Sequence, residues 1–321
     1  MELLLPDPDV LPYGLRAMKA VALANGTFDD SERTFFDAAL SLFGLRIDVD
    51  ALEPIEPEEL ARHVVDRGLR RQLVRAMVLL SVVDGEASPA EASLVERYAN
   101  ALGIASLDLT TLRHLADGHL MNARFDIARR FWAREKAVEL TRQKGLGWLA
   151  RSVAAMAGLR ADREIGDRWR GLGSLPAGTL GRSYFEFMYA NDFSFPGEQG
   201  SPPEVIAFHD LTHVLSGYGT DPAGEMCVLA FHAGCRREEK DPFSFLMFGL
   251  AQFHMGLQLT PVSPGRRGAF DPAPVMLALR RGAGCRIDPT DGWDPWPVMH
   301  RPLDALRLEY GIAPLPSPSS S

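Results

Sequence analysis

The sequence predicts an all-α protein, and three observations lead to this class. Apolar residues recur at helical spacing through most of the 321 residues. Ser or Asp precedes many of these stripes and Gly follows them, which marks helix starts and ends. Alternation of period two, which would indicate strands, occurs nowhere over a useful length. We predict a helical domain at 1–118, a helical linker at 119–174, a second helical domain at 175–313 and a disordered, Pro/Ser-rich tail at 314–321.

The first third of the chain contains an internal repeat. Residues 22–45 match residues 81–104 at a constant offset of 59, so that Asn25-Gly26 aligns with Asp84-Gly85. In each copy an apolar helix ends at a Gly turn, and a Ser or Asp caps the helix that follows. Such self-similarity predicts two duplicated helical hairpins.

This duplicated pattern, with DGEASPAE at 84–91, resembles the tellurite-resistance TerB-like family of small all-helical domains over roughly residues 10–105. The resemblance implies that Asp84, Glu86 and Glu91 are candidate ligands of a cation. We favour the alternative, a solvated turn with helix-capping carboxylates, because capping alone accounts for these residue types.

The segment 108–170 reads as an amphipathic helical connector with dense alternating charge. One interpretation places part of it on anionic lipid, and the favoured one is a solvated helix, because Glu135 and Glu139 interrupt the basic face. The side chains considered for lipid contact are Arg124, Phe125, Arg129, Arg130, Phe131, Trp132 and Arg134.

The most informative constellation is His209, Asp210, His213 and Glu225. The two histidines lie one helical turn apart, and Asp210 is rotated about 100° from His209. Glu225 belongs to the next helix, whose start is marked by Asp221-Pro222. We predict all four as ligands of one divalent ion, zinc by preference, with Mn, Fe, Co and Mg as alternatives.

Other interpretations of this constellation are a helix face with hydrogen-bonded histidines and a buried ion pair with an arginine. The apolar surroundings favour a metal, because unpaired charge on such a helix is costly. A zinc protease is disfavoured, because its HExxH motif needs Glu at the position that Asp210 occupies.

The stretch LPAGTLGRSYFEFMYANDFSF at 175–195, followed by HDLTHVLSGYGTDPAGE at 209–225, resembles the ubiquinone-biosynthesis family numbered four in the coenzyme Q series. That family carries His-Asp-x-x-His, eleven further residues and Glu, and His209, Asp210, His213 and Glu225 match it position by position. The similarity covers roughly residues 170–310, and the long N-terminal part of this chain departs from the family.

This resemblance implies a mostly helical, metal-binding protein that acts in ubiquinone assembly near a membrane surface. It implies either an organiser of the biosynthetic enzymes or an enzyme of oxidative decarboxylation at C1 of the quinone head group. The implied partners are a prenylated quinone precursor or lipid and other quinone-biosynthesis proteins. The alternative function is a metal-stabilised stress-response protein of tellurite or metal tolerance, which the TerB-like resemblance suggests.

Composition and charge narrow the possible functions and cellular locations of the protein. The net charge of −8 argues against nucleic-acid binding. Three cysteines without a CxxC pair indicate reduced thiols. The N-terminus has no signal-peptide pattern, and the longest apolar run is too short to be a convincing membrane span. We therefore expect a bacterial cytoplasmic protein, with peripheral contact to the inner membrane as the resemblance implies.

Two further histidines lie on predicted helices. His232 follows Glu225 by seven residues, and His254 lies further along the chain. We expect each to be a core histidine bonded to a carbonyl. For His232 the alternative is a group that supports the metal ligands or carries a proton.

Overall fold

The computed structural model describes residues 3–260 and 263–316, and its regular structure is helical. No strand occurs in these ranges, where two isolated bridges are the only β-type pairs. The predicted all-α class is confirmed. In chain order the α-helices are α1 Leu11–Ala22, α2 Asp30–Leu42, α3 Pro57–His63, α4 Arg67–Leu80, α5 Pro89–Leu102, α6 Leu107–Ala116, α7 Leu120–Arg130, α8 Trp132–Lys144, α9 Leu146–Met156, α10 Arg163–Arg170, α11 Leu180–Ala190, α12 Ala207–Ser216, α13 Pro222–Cys235, α14 Phe243–Gly249, α15 Pro272–Ala283 and α16 Leu303–Glu309.

The chain divides into two compact units, each made of two stretches of sequence. Within the described residues, the first unit comprises 3–130 and 246–280, and the second comprises 131–245 and 281–316. The domain ranges predicted from the sequence, in contrast, are each continuous. Of the predicted disordered tail, residues 317–321 lie outside the described residues.

In the first unit the two aligned segments each place a glycine turn before a helix, Gly26 before α2 and Gly85 before α5. Gly26 and Gly85, at equivalent positions, have φ of 94° and 90°, a conformation that favours glycine. The segment 246–280 joins this unit through His254, whose Nε2 donates to the Val83 carbonyl oxygen at 2.9 Å. The expectation that His254 is a core histidine bonded to a carbonyl is therefore confirmed.

The acidic residues at 84–91 have local structural roles. Asp84 Oδ1 accepts from the Glu86 backbone N–H at 2.9 Å. Ser88 is the N-cap of α5, and the Glu91 carboxylate accepts a hydrogen bond from its backbone N–H. These contacts favour the capping interpretation over a cation site.

The second unit packs its core around α12, with buried side chains from α11, α13 and α16. Arginines from later segments bind the last carbonyls of α12. Arg307 donates to the carbonyl oxygens of Val214 and Leu215 at 2.9 and 3.0 Å, and Arg281 donates to that of Ser216 at 2.9 Å. The end of α12 is therefore fixed by charged donors, which suit the negative end of a helix dipole.

The side chains considered for lipid contact differ in their exposure. Trp132, considered for lipid contact, is instead buried, with 1% of its surface exposed. Phe125 is exposed. Across residues 3–260 and 263–316, no helix combines the length and apolar character that crossing a membrane would need.

Candidate metal centre

Helices α12 and α13 place the histidine and glutamate side chains opposite each other. α12 ends at Gly217, whose φ of 82° turns the chain, and α13 starts at the N-cap Asp221. Gly224 lies so close to this turn that a Cβ there would stand 2.2 Å from the Gly219 carbonyl oxygen. Glycine at 224 thus allows the first turn of α13, with Glu225, to approach the end of α12.

Three of the four predicted ligands come together. His209 Nε2 lies 3.2 Å from His213 Nε2 and 3.1 Å from Glu225 Oε2. His213 Nε2 lies 3.4 Å from Glu225 Oε1. These three separations suit ligand atoms that bind one shared ion at metal–ligand distances of about 2.0–2.2 Å. Among the described residues this is the one group of three or more His, Cys, Asp and Glu side chains with such convergence.

The hydrogen bond of His213 favours the tautomer that suits metal binding. Its Nδ1 lies 3.2 Å from the Tyr218 carbonyl oxygen, which can only accept, so in the neutral ring Nδ1 carries the proton and Nε2 is bare. Phe187 stacks on the His213 ring with centroids 5.5 Å apart. The ring is almost fully buried, which fixes its orientation.

Electrostatics couples the three groups. Burial alone would raise the pKa of Glu225, but hydrogen bonds and charge from His209 and His213 lower it to about 2. Burial opposes protonation of His209, and the hydrogen bond and charge of Glu225 outweigh that effect and raise its pKa. Without an ion, the raised pKa of His209 and the lowered pKa of Glu225 favour an imidazolium–carboxylate pair. A divalent cation in place of the proton satisfies the same atoms.

Asp210 lies outside this group of converging atoms, although it was predicted as a ligand. Its rotation on α12 separates its carboxylate from the three others, and no side-chain hydrogen bond to it occurs among the described residues. Burial raises the pKa of Asp210 to about 6, and the nearby histidines oppose this rise. Asp210 in turn contributes to raising the pKa of Tyr184 on α11, after burial of that phenol itself. The structure thus provides a carboxylate beside the three converging side chains.

His232 is a site residue for which the sequence favoured a different role. It is fully buried, and its Nε2 lies 3.3 Å from His209 Nδ1 rather than against a carbonyl. The expectation of a carbonyl partner for His232 is therefore wrong. The spacing of seven from Glu225 was the available signal, because two helical turns return a side chain to the same face.

The donor set fits a divalent ion. Two imidazoles and one carboxylate form a set used by zinc enzymes and by non-haem iron oxygenases, and three protein ligands leave coordination positions open. Comparisons with known proteins add nothing to this chemistry: no family model, curated protein or solved structure matches the chain.

Proposed function

We propose that the chain is a metal-dependent component of ubiquinone or related prenyl-quinone biosynthesis that modifies the quinone head group. The observation that carries this proposal is the convergence of His209, His213 and Glu225 within 4.8 Å. The motif around these residues, and its resemblance to the ubiquinone-biosynthesis family, supplies the substrate class. The organising role that the resemblance also implies is less favoured. Three protein ligands leave coordination positions open for a substrate, and a protein that only organises enzymes does not need them.

The metal we propose is zinc, with Mn, Fe, Co and Mg as alternatives. When bound, a divalent ion would supply Lewis acidity toward a phenolic or carboxylate oxygen of the substrate. His209, His213 and Glu225 would hold it, and His213 would keep its orientation through the Tyr218 carbonyl. Asp210, half-buried beside them, would accept a proton from a hydroxyl of the head group.

Tyr184 supports a polar substrate group in the same region. Its hydroxyl is buried and has no hydrogen-bond partner among the described residues. Burial and the charge of Asp210 keep this phenol protonated by raising its pKa. Tyr184 can therefore donate a hydrogen bond to a ring oxygen, and Asp210 can accept one.

A strain that lacks the gene tests this function. We expect it to lose most of its ubiquinone and to accumulate a prenylated precursor that retains the C1 carboxylate. Wild type should restore ubiquinone, and His213→Ala, expressed at equal level, should not. Quinones and precursors are measured in lipid extracts by mass spectrometry. Unchanged ubiquinone together with altered tellurite or metal tolerance would support the stress-response alternative instead.

We also propose peripheral membrane contact through one surface of the second unit. The α9 surface consists of Leu146, Val153 and Met156 on α9 and of Leu159 just after it, which are 77%, 50%, 48% and 79% exposed. Residues 140–160 contain four basic residues and no Asp or Glu, and two of the four, Lys144 and Arg151, pair with Glu204 and Asp162. An apolar helix face in a basic segment suits an anionic lipid surface.

Vesicle flotation tests the α9 surface. Wild type should float with phosphatidylglycerol vesicles, bind phosphatidylcholine vesicles weakly and lose binding at high salt. A Leu146→Asn, Val153→Asn double variant should lose about tenfold or more of this binding, because it removes apolar contact without touching the core. The matched control is Leu308→Asn, at a leucine that is 82% exposed elsewhere in the same unit. Equal flotation of the double variant and the control would contradict this role.

A further inference from the structure

His232 stands directly behind one of the candidate metal ligands. It projects from α13, seven residues after Glu225, and none of its surface is exposed. Phe245 and Trp132 stack near its ring, with centroids 5.1 and 6.1 Å away and interplanar angles of 16° and 27°. Both aromatic side chains are themselves buried. The imidazole of His232 is therefore held in one orientation by packing.

The polar contacts of His232 are as informative as its packing. Its Nε2 approaches His209 Nδ1 at 3.3 Å, while its own Nδ1 is buried without a hydrogen-bond partner among the described residues. His254 shows the usual alternative, since it bonds the Val83 carbonyl oxygen and accepts from the Phe270 N–H. Within the described part of the chain, the polar contact of the His232 ring is therefore directed at the candidate metal site.

The two metal-ligating histidines differ in what fixes their tautomer. His213 faces a carbonyl, which forces its proton onto Nδ1. His209 faces an imidazole, which can donate or accept, so its tautomer depends on His232. A bare Nε2 on His209 requires a proton on Nδ1, and that proton then points at His232 Nε2.

We propose that His232 is a positioning residue for the metal: it accepts the hydrogen bond from His209 Nδ1–H and so leaves His209 Nε2 free to bind the ion. This inference rests on the proposed metal site and adds a residue that lies outside its ligand motif. Groups that support a metal-bound imidazole typically change metal affinity about 10- to 100-fold when they are replaced.

A pair of amide variants of the full-length protein tests this role. The glutamine amide reaches the position of the histidine Nε2, whereas the shorter asparagine amide reaches only that of Nδ1. His232→Gln should therefore keep an acceptor for His209, and His232→Asn should lose it. Titration with Co²⁺ alone, followed by its visible absorption, measures affinity and ligand geometry. His254→Gln, in the first unit, controls for a histidine-to-amide change, and thermal melts compare stability.

We expect His232→Asn to bind Co²⁺ about 10- to 100-fold more weakly than wild type, with His232→Gln and His254→Gln close to wild type. If wild type binds no Co²⁺, the proposed metal site fails, and this inference fails with it. If wild type binds and the Asn variant matches it, or the Gln variant is as weak as Asn, the positioning role is wrong while the metal site stands. Loss of all binding in His232→Asn would make His232 a ligand itself, which also overturns the proposal.

Discussion

His213→Ala is expected to strip the protein of a divalent ion that wild type holds at about one per chain. His213 contributes one of three converging atoms, and the Tyr218 carbonyl favours its neutral tautomer with Nε2 free to bind. Two remaining donors cannot hold a borderline divalent ion tightly against chelation. Elemental analysis after dialysis against a weak chelator measures the content. Equal metal in both proteins would remove His213 from the ligand set.

Asp210→Asn in the same experiment decides the role of the fourth predicted ligand. Because its carboxylate lies outside the converging group, we expect the Asn variant to retain its metal and to lose quinone production. If Asp210→Asn loses its metal as His213→Ala does, Asp210 is a ligand after all, because the variant lacks one negative charge. His254→Ala serves as the control for histidine replacement, since His254 belongs to the first unit.

The second large effect is a stability of the first unit that falls as pH rises. Glu32 and Glu91 are buried, at 3% and 5% exposed, and burial together with neighbouring carboxylates raises their pKa to about 7 and about 8. The neighbours are Asp29 and Asp84 for both residues, and Glu32 in addition for Glu91. A raised carboxyl pKa means that folding favours the protonated form. The stabilisation that the two protonated carboxyls provide is therefore fully present below about pH 4.5, their pKa in the unfolded chain. It is lost as pH rises through 7 to 8.

Two substitutions test this effect without disturbing the helix caps. Glu91→Gln keeps an acceptor for Asn25 Nδ2, now 2.7 Å from Glu91 Oε1, and keeps a residue type suited to the capping box. Asp84→Asn removes a charge that raises both pKa values. We expect each to stabilise the first unit at pH 8, Glu91→Gln by on the order of 2 kcal/mol, and to have little effect at pH 4. Urea melts at both pH values measure this, and a stability of wild type that rises from pH 5 to 8 would contradict it.

The parts of the site that the sequence could predict are those that local geometry dictates. The spacing of His209 and His213 fixes a shared face, and Asp221-Pro222 fixes where the next helix begins, so Glu225 could be assigned to its first turn. His232 could not be assigned, because its contact depends on how α13 packs against α12. The same holds for residues 246–280, whose place in the first unit rests on contacts with residues far away in the chain, such as the bond of His254 to Val83, 171 positions earlier.

The arginine contacts at the end of α12 carry a consequence for the order of events during synthesis. His209, His213 and Glu225 leave the ribosome well before Arg307, which binds carbonyls 92 and 93 positions upstream. Chains fold progressively from the N-terminus as they are made. Until Arg281 and Arg307 have been synthesised, the last carbonyls of α12 lack these donors, and the end of the helix that positions His213 is less firmly held. We therefore expect a chain that has not yet reached Arg307 to bind the proposed ion more weakly than a chain that includes it.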